Sequence, residues 1–424
     1  MRVAVVGGGA SGLATAWLLD EAHHVTLFEQ HAALGGHVRT AGGNVPCAAL
    51  APGVRLDTGV IEFDRRTFTA FHSWMRALGV HCPTLVGGGS TSLLLADGRH
   101  LHAPRAIAMQ DGSRLDDAAD ALRLIPTALR RRRFLAKTGA VPRASLARVS
   151  IERFLSDDDF STWMRSLLMY AYSTHYEHVA GLSASIAVPM LRDFLEQCEW
   201  THIPSGVSTY VERVRQTLRG RVELDAHITG VTRKPTSVHI EREGGSVERF
   251  DFVVMAVAPH RVLALLRDAS EAERSWFGAY VGGEITTLLH TDTGPYERRG
   301  VKGFTEFDLF AMADGRHGYN AYLNRLAGLS SAAPPHYSLA FDMGDEVRAS
   351  SVVHRQQHDV ARYSADALEK RAALLEANGT NRTFWAGAFL GDGLHEGAVR
   401  AALAIAERLG GRTLNAHGTT ARPP

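Results

Sequence analysis

Val3-Ala4-Val5-Val6-Gly7-Gly8-Gly9-Ala10-Ser11-Gly12 opens the chain. Its four apolar, mostly β-branched residues suit a strand buried on both faces of a parallel sheet. Gly7, Gly9 and Gly12 then supply Gly-x-Gly-x-x-Gly, and Leu13, Ala14, Ala16, Trp17 and Leu18 continue at helical spacing. In such a unit the first glycine permits the tight turn, the second lets backbone approach a pyrophosphate, and the third lets helix pack on strand. Ala10 and Ser11 bring the unsatisfied N–H groups of a helix N-terminus toward the phosphates. A second strand, Val25-Thr26-Leu27-Phe28, ends at Glu29, about 20 residues on, where an acid is expected to meet a ribose hydroxyl. Gln30 is the alternative ribose contact. An ordinary strand-turn-helix would need none of the other elements to fall in register, so the stretch is read as a dinucleotide site.

Composition narrows the remaining possibilities. The 424 residues suffice for two domains with real cores. A net charge of +1 offers no bulk attraction for nucleic acid, and 45% hydrophobic with 21% charged residues is ordinary for a globular protein. Cys47, Cys82 and Cys198 form no CxxC and no zinc spacing, which fits a reducing cytoplasm. A strand starting at residue 2 leaves no room for a signal peptide, and no uncharged apolar run approaches the ~18 residues of a membrane span. The 21 histidines scatter without forming a cluster read as a metal site.

Further motifs say which dinucleotide. Leu34-Gly35-Gly36-His37-Val38-Arg39-Thr40 adds a second glycine pair, and Asp57-Thr58-Gly59-Val60-Ile61 follows. Near the C-terminus stand Trp385-Ala386-Gly387 and Gly391-Asp392-Gly393-Leu394-His395-Glu396-Gly397-Ala398, entering a helix. Between lie His227-Ile228-Thr229-Gly230-Val231 and Phe252-Val253-Val254-Met255-Ala256-Val257-Ala258-Pro259. These blocks, in this order, resemble the flavin amine oxidase/phytoene desaturase-type FAD superfamily. Within it the chain is most similar to a bacterial group of amine-oxidase-like flavoproteins known only as predicted NAD/FAD-binding proteins. The resemblance implies that Gly35, Gly36 and His37 (where an arginine is usual) reach FAD phosphate or ribityl. It also implies that Gly59, Val60 and Ile61 run beside the flavin ring and that Ile228 meets adenine through its backbone. Gly387, Gly393, Leu394, Glu396 and Ala398 would form the closing flavin motif, with the His395 N–H stabilising charge at the flavin N1/O2 locus. No cysteine lies near that motif, so non-covalent FAD is expected.

The resemblance also implies a discontinuous α/β FAD domain of two-dinucleotide-binding, Rossmann-like type, at 1–75, 205–270 and 378–412. A substrate domain of mixed sheet with a helical lobe takes 76–204 and 271–377, and 413–424 is expected to be a disordered tail. Residues 93–99 read as strand and turn. Residues 115–135 read as a helix broken at Pro126, and 151–176 and 186–196 as further helices. Strands are expected at 284–291, 304–312, 319–324 and 336–342. His354 and His358, four apart, read as a surface helix. Arg130 to Arg133 read either as a solvated helix end or as a contact for a membrane surface or an acyl carrier.

Flavin dehydrogenations ask little of side chains. Tyr172, His175 and Tyr176 would share one helix face and could line a pocket with one acid or base, or pack as an amphipathic helix. The superfamily's amine oxidases usually carry a lysine near flavin N5 and an aromatic residue before the closing N–H donor. Here those places hold Thr286 and Leu394. The expectation is therefore an FAD-dependent oxidoreductase dehydrogenating or oxidising a mainly apolar, unsaturated acyl or polyketide-like substrate, delivered free, by a carrier or from a membrane. A flavin-dependent double-bond isomerase without net redox change is the alternative, and a non-catalytic flavin-binding partner protein the third reading.

Overall fold

A computed structural model describes residues 1–85, 91–98, 100–101, 117–196, 198–301, 305–332, 334–415 and 420–421. Val3 to Val6 are buried in the Arg2–Val6 strand, which lies at the centre of a five-stranded parallel sheet. The spatial order is Thr383–Trp385, Phe252–Met255, Arg2–Val6, His24–Phe28, Arg221–Glu223. The sheet thus gathers strands from both ends and the middle of the chain. Helix Ala10–Leu19 is buried from Ser11 to Leu19, because the sheet covers one side and helix His395–Leu409 the other. That closeness depends on two glycines. Gly7 has φ +110°, and a Cβ there would lie 2.5 Å from the Ala256 carbonyl oxygen, while a Cβ on Gly12 would collide with the Gly7 carbonyl oxygen. A three-stranded antiparallel meander, Ile228–Lys234, Ser237–Arg242 and Val247–Phe250, follows the edge strand Arg221–Glu223 in the chain.

The second sheet has seven strands, ordered Val352–Ala361, Gly282–His290, Ser338–Phe341, His317–Tyr322, Phe307–Ala311, Thr91–Leu94, His100–Leu101. Only the Phe307–Ala311/Thr91–Leu94 pair is parallel, so the two long insertions meet there in one sheet. Helices Asp117–Gly139, Asp159–Tyr172 and Ala184–Glu196 form the lobe beside it. Asp158 caps the middle one through Ser161 N–H at 2.8 Å. Tyr170 anchors it to the sheet, its ring 4.7 Å from Phe307 and 5.0 Å from Tyr319.

Four expectations need correction. The helix Asp117–Gly139 runs through Pro126 instead of breaking there. The 151–176 stretch is not one helix: Asp159–Tyr172 ends at Ser173, which adopts a left-handed conformation with φ 46°, and His175 precedes the short helix Tyr176–Val179. His354 and His358 belong to the Val352–Ala361 strand, where His358 is buried. Of the tail, Thr413–Leu414 pairs with Thr420–Ala421, and 416–419 and 422–424 lie outside the described residues.

Gly12→Val should lower the unfolding free energy by about 3 kcal/mol or more, since backbone and not a flexible side chain occupies the space. Gly9→Ala, whose Cβ would meet nothing nearer than Gly36 Cα at 3.8 Å, should cost less than about 1 kcal/mol. Paired urea titrations check the contrast.

Candidate functional site

The bare backbone of Gly9 faces a second glycine turn. Gly35 N–H donates to Gly8 O at 2.8 Å, Gly9 and Gly35 form a bridge, and a Cβ on Gly36 would lie 3.0 Å from Gly9 Cα. Asn44 pins this turn: its Nδ2 donates to the Leu34 and Val38 carbonyls, and its Oδ1 accepts from Thr40 N–H. Beside it the buried Glu29 carboxylate accepts from Gly8 N–H at 2.7 Å and His31 N–H at 3.0 Å. Gln30 is exposed. Arg39, which the motif reading passed over, turns its guanidinium into the same region. Among the described residues its one hydrogen bond is a long 3.4 Å contact to Ala33 O. Burial lowers its pKa while the nearby Glu29 charge opposes that. A cation so weakly engaged beside bare glycine backbone is chemically suited to phosphate.

The next strand is held from three sides. Thr58 donates both its N–H and its Oγ1 to Arg39 O, at 2.8 and 3.0 Å. Asp57 Oδ1 accepts from Thr40 Oγ1 at 2.5 Å and Val207 N–H at 2.9 Å, and Ser208 N–H donates to Thr40 Oγ1. The Thr58 carbonyl accepts from Thr287 Oγ1 at 2.6 Å and lies 2.9 Å from His358 Nε2. A Cβ on Gly59 would stand 2.9 Å from His358 Cε1, and the rings of His37 and His358 meet edge to face at 6.0 Å. Burial, with the His37 charge second, lowers the His358 pKa to about 4. From sequence His358 read as part of a surface helix, and Thr287 stood only beside Thr286 at the place of the usual lysine. Thr286 was singled out, but side chains alternate along a strand, and its neighbour Thr287 is the one that reaches Thr58. Thr286 therefore sits on the opposite face.

The closing motif enters helix His395–Leu409. Leu394 and Gly397 N–H both donate to Asp392 Oδ1, at 2.8 and 2.9 Å, and Gly393 takes φ +83°. The first N–H groups of that helix, His395's among them, lack an intrahelical carbonyl. The His395 ring points inward, edge-on to Phe63 and Phe71, with Nε2 3.1 Å from Tyr210 Oη. Burial, helped by His37, lowers its pKa to about 3. Glu396 is engaged away from the cradle: its carboxylate caps helix Thr69–Ala77 through Ala70 and Phe71 N–H and pairs with Arg400. Gly387 precedes the turn Ala388–Leu390, and Ala398 is buried in the helix. Ile228 N–H donates to Ala226 O at 2.8 Å, next to the Glu29 strand end.

The proposed aromatic face is parted. Tyr172 lies against Gly393 and donates to Ile186 O or Asp392 O, both at 3.2 Å. His175 Nδ1 instead meets Asp342 Oδ2 at 2.5 Å at the end of the mixed sheet, and Tyr176 stacks on His317. Sequence reasoning also missed Glu62. Its Oε1 accepts from Tyr170 Oη at 3.1 Å, its Oε2 is buried without a partner, and burial holds its carboxyl well above the usual range. The described residues contain no cluster of three metal-ligating side chains, and no helix among them is long and apolar enough to cross a membrane.

With this geometry established, the chain can be set beside known proteins. Residues 5–78 match the NAD(P)-binding Rossmann-like domain. Three solved structures each superpose over 96% of the chain. They are putrescine oxidase bound to putrescine (16% identity, 99% of that chain, TM-score 0.66), a CLA-producing fatty acid isomerase from P. acnes (17%, 98%, 0.65) and cyclohexylamine oxidase from Brevibacterium oxydans (15%, 99%, 0.65). The chain shares the fold of these three proteins, with a Rossmann-like dinucleotide-binding domain at its start. A comparison with curated proteins finds no match. The fold carries amine oxidation in two of these neighbours and isomerisation in the third, so it does not fix the reaction.

Asp57 provides a pH-dependent test of how the segment is held. Burial raises its carboxyl to about 7, so between about pH 4 and 7 the folded protein keeps a proton that the unfolded chain has released. Stability therefore falls as pH rises through that window. Asp57→Asn keeps the acceptor and removes the charge. It should gain on the order of 1 kcal/mol over the parent at pH 8 and nothing at pH 4, as read by urea titrations at both values.

Proposed function

We propose that the chain is an FAD-dependent oxidoreductase that binds its cofactor non-covalently and dehydrogenates or oxidises a mainly apolar substrate. The observation that carries this reading is the cradle between Gly9 and Gly36. Two glycine turns approach so closely that a side chain on either would enter the space, with a helix N-terminus and the poorly partnered Arg39 facing the same region. Those groups fit a pyrophosphate. The further length of the site, from Glu29 through Gly59 to the Leu394–His395 helix start, suits FAD better than a shorter nucleotide. Glu29 would hold the ribose, Arg39 the phosphates, the Thr58–Ile61 backbone the ring edge, and the N–H of His395 the pyrimidine end. Bound FAD supplies the hydride acceptor.

On the substrate side the mixed sheet carries an aromatic and apolar layer: Tyr170, Phe307, Tyr319 and Phe341 pack in sequence across it. No lysine occurs in the Gly282–His290 strand, and Leu394 offers aliphatic surface at the closing turn. These features favour a long apolar molecule over a simple amine. Flavin-dependent isomerisation is the second reading, favoured by the likeness to the fatty acid isomerase together with the same apolar layer.

Purified protein reconstituted with FAD should hold one flavin per chain, with a visible band near about 450 nm, and acid precipitation should leave the colour in the supernatant. A yellow pellet would refute non-covalent binding, and absence of any bound flavin would refute the reading as a whole. Arg39→Ala should weaken FAD binding about ten- to a hundredfold, the loss of one charge-assisted contact of roughly 1.5–3 kcal/mol. Fluorescence titration of apoprotein with FAD measures it.

A further inference from the structure

We infer that His358 is a redox-linked proton acceptor of this site, neutral beside oxidised flavin and protonated beside reduced flavin, with His37 as its exposed partner ring. The inference rests on the FAD reading above and adds a role for two side chains that reading does not use.

The geometry sets the tautomer. Thr58 O can only accept, so the Nε2 of His358 that stands 2.9 Å from it carries a hydrogen. Thr287 Oγ1 donates to the same carbonyl at 2.6 Å and fixes the imidazole edge. The neutral ring then leaves Nδ1 as a bare acceptor, and among the described residues no side chain or backbone group donates to it. The ring lies over Gly59, in the segment that would run beside the flavin, and Gly59 has no side chain to separate them. His358 thus offers one unshared lone pair beside the segment assigned to the flavin ring edge.

Its surroundings favour proton uptake only when negative charge arrives. The groups facing it are His37 and Arg39 from the second glycine turn, both of which disfavour a positive ring, and burial acts in the same direction. Nearby carboxylates are already engaged. Asp57 takes Thr40 and Val207, while Asp359, next in the strand and directed to the other face, binds His260 and Arg261. Glu284, on the neighbouring strand, is exposed. Two-electron reduction places negative charge on the flavin, and that charge is the missing partner for an imidazolium. With FAD bound, a substrate that gave a hydride to the flavin would give its proton to His358 Nδ1, so that two electrons and two hydrogens leave it together. A two-electron acceptor that takes the flavin's electrons would remove the negative charge, and His358 would then release the proton to that acceptor or to solvent. His37 is exposed and edge-on to His358, with its Nε2 held 2.7 Å from Asp359 O, which makes it the outlet to solvent.

The test needs no substrate. The midpoint potential of bound FAD is measured from about pH 5 to 8 by dye-coupled reduction of holoprotein. Each proton taken up with two electrons contributes a tenfold change in the equilibrium per pH unit, about 30 mV. Wild type should show one proton more than His358→Gln across the range, so the variant's slope should be shallower by about 30 mV per pH unit. His37→Gln should keep the wild-type slope while slowing the approach to equilibrium. Equal slopes in wild type and His358→Gln would overturn the inference. If the variant does not retain FAD, histidine-labelled wild type decides by nitrogen NMR. The His358 ring should show one protonated nitrogen in oxidised and two in reduced holoprotein, and an unchanged ring would overturn the inference. Failure of wild type itself to bind FAD would instead refute the cofactor reading.

Discussion

The short segment Asp57-Thr58-Gly59 is bonded on every side, and both halves of the molecule are organised around it. Arg39 O receives Thr58's amide and hydroxyl from within the nucleotide-binding half. Thr58 O receives Thr287 from the mixed sheet. Asp57 receives Val207 from the middle block of the chain. Because a buried peptide group must find partners for its donor and its acceptor, this arrangement fixes where the two sheets stand relative to each other. It also explains why residue 59 is glycine: a Cβ there would strike the His37 carbonyl oxygen on one side and His358 on the other.

The nucleotide-binding half was legible from sequence because steric rules encode it locally. Gly7 and Gly12 each answer to a backbone within a few residues or one strand away, and Val3 to Val6 announce a strand buried on both faces. The face of the mixed sheet turned to Thr58 and Gly59 was far less legible, and the reason is periodicity. His354 and His358 are four apart, which is one helical turn but also two full pleats of a strand, and only the partner strand Gly282–His290 resolves the ambiguity. Thr286 and Thr287 differ by one residue, which in a strand reverses the face. The 151–176 helix broke where Ser173 took a left-handed conformation, a choice made by tertiary packing and not by propensity. Glu62 finds its partner 108 residues away, beyond any local pattern.

The polar groups on the two sides of the mixed sheet serve different ends. Away from the cofactor cradle, His290, Asn320, Tyr296, Asp308 and Thr305 form a continuous buried chain in which every link is 2.6–3.0 Å. Such a satisfied network holds one packing arrangement. Facing the cradle, Glu62 Oε2 has no partner and Arg39 only a long contact. An unpartnered buried carboxylate oxygen and a loosely held guanidinium are groups that a ligand can complete.

The interleaving of the two sheets has a consequence for how the chain is born. The Arg2–Val6 strand finds one neighbour at residues 24–28, but its other neighbour is at 252–255 and the sheet edge at 383–385. Thr91–Leu94 likewise waits for Phe307–Ala311. During synthesis the Arg2–Val6 strand must therefore wait with an open parallel edge until residues 252–255 emerge, and the sheet itself stays unfinished until 383–385 follow. Pairing across such sequence distances is slow, because loop closure precedes the reward of contact. Any ligand that binds the finished cradle and not the unfinished chain pulls that late equilibrium toward the native state.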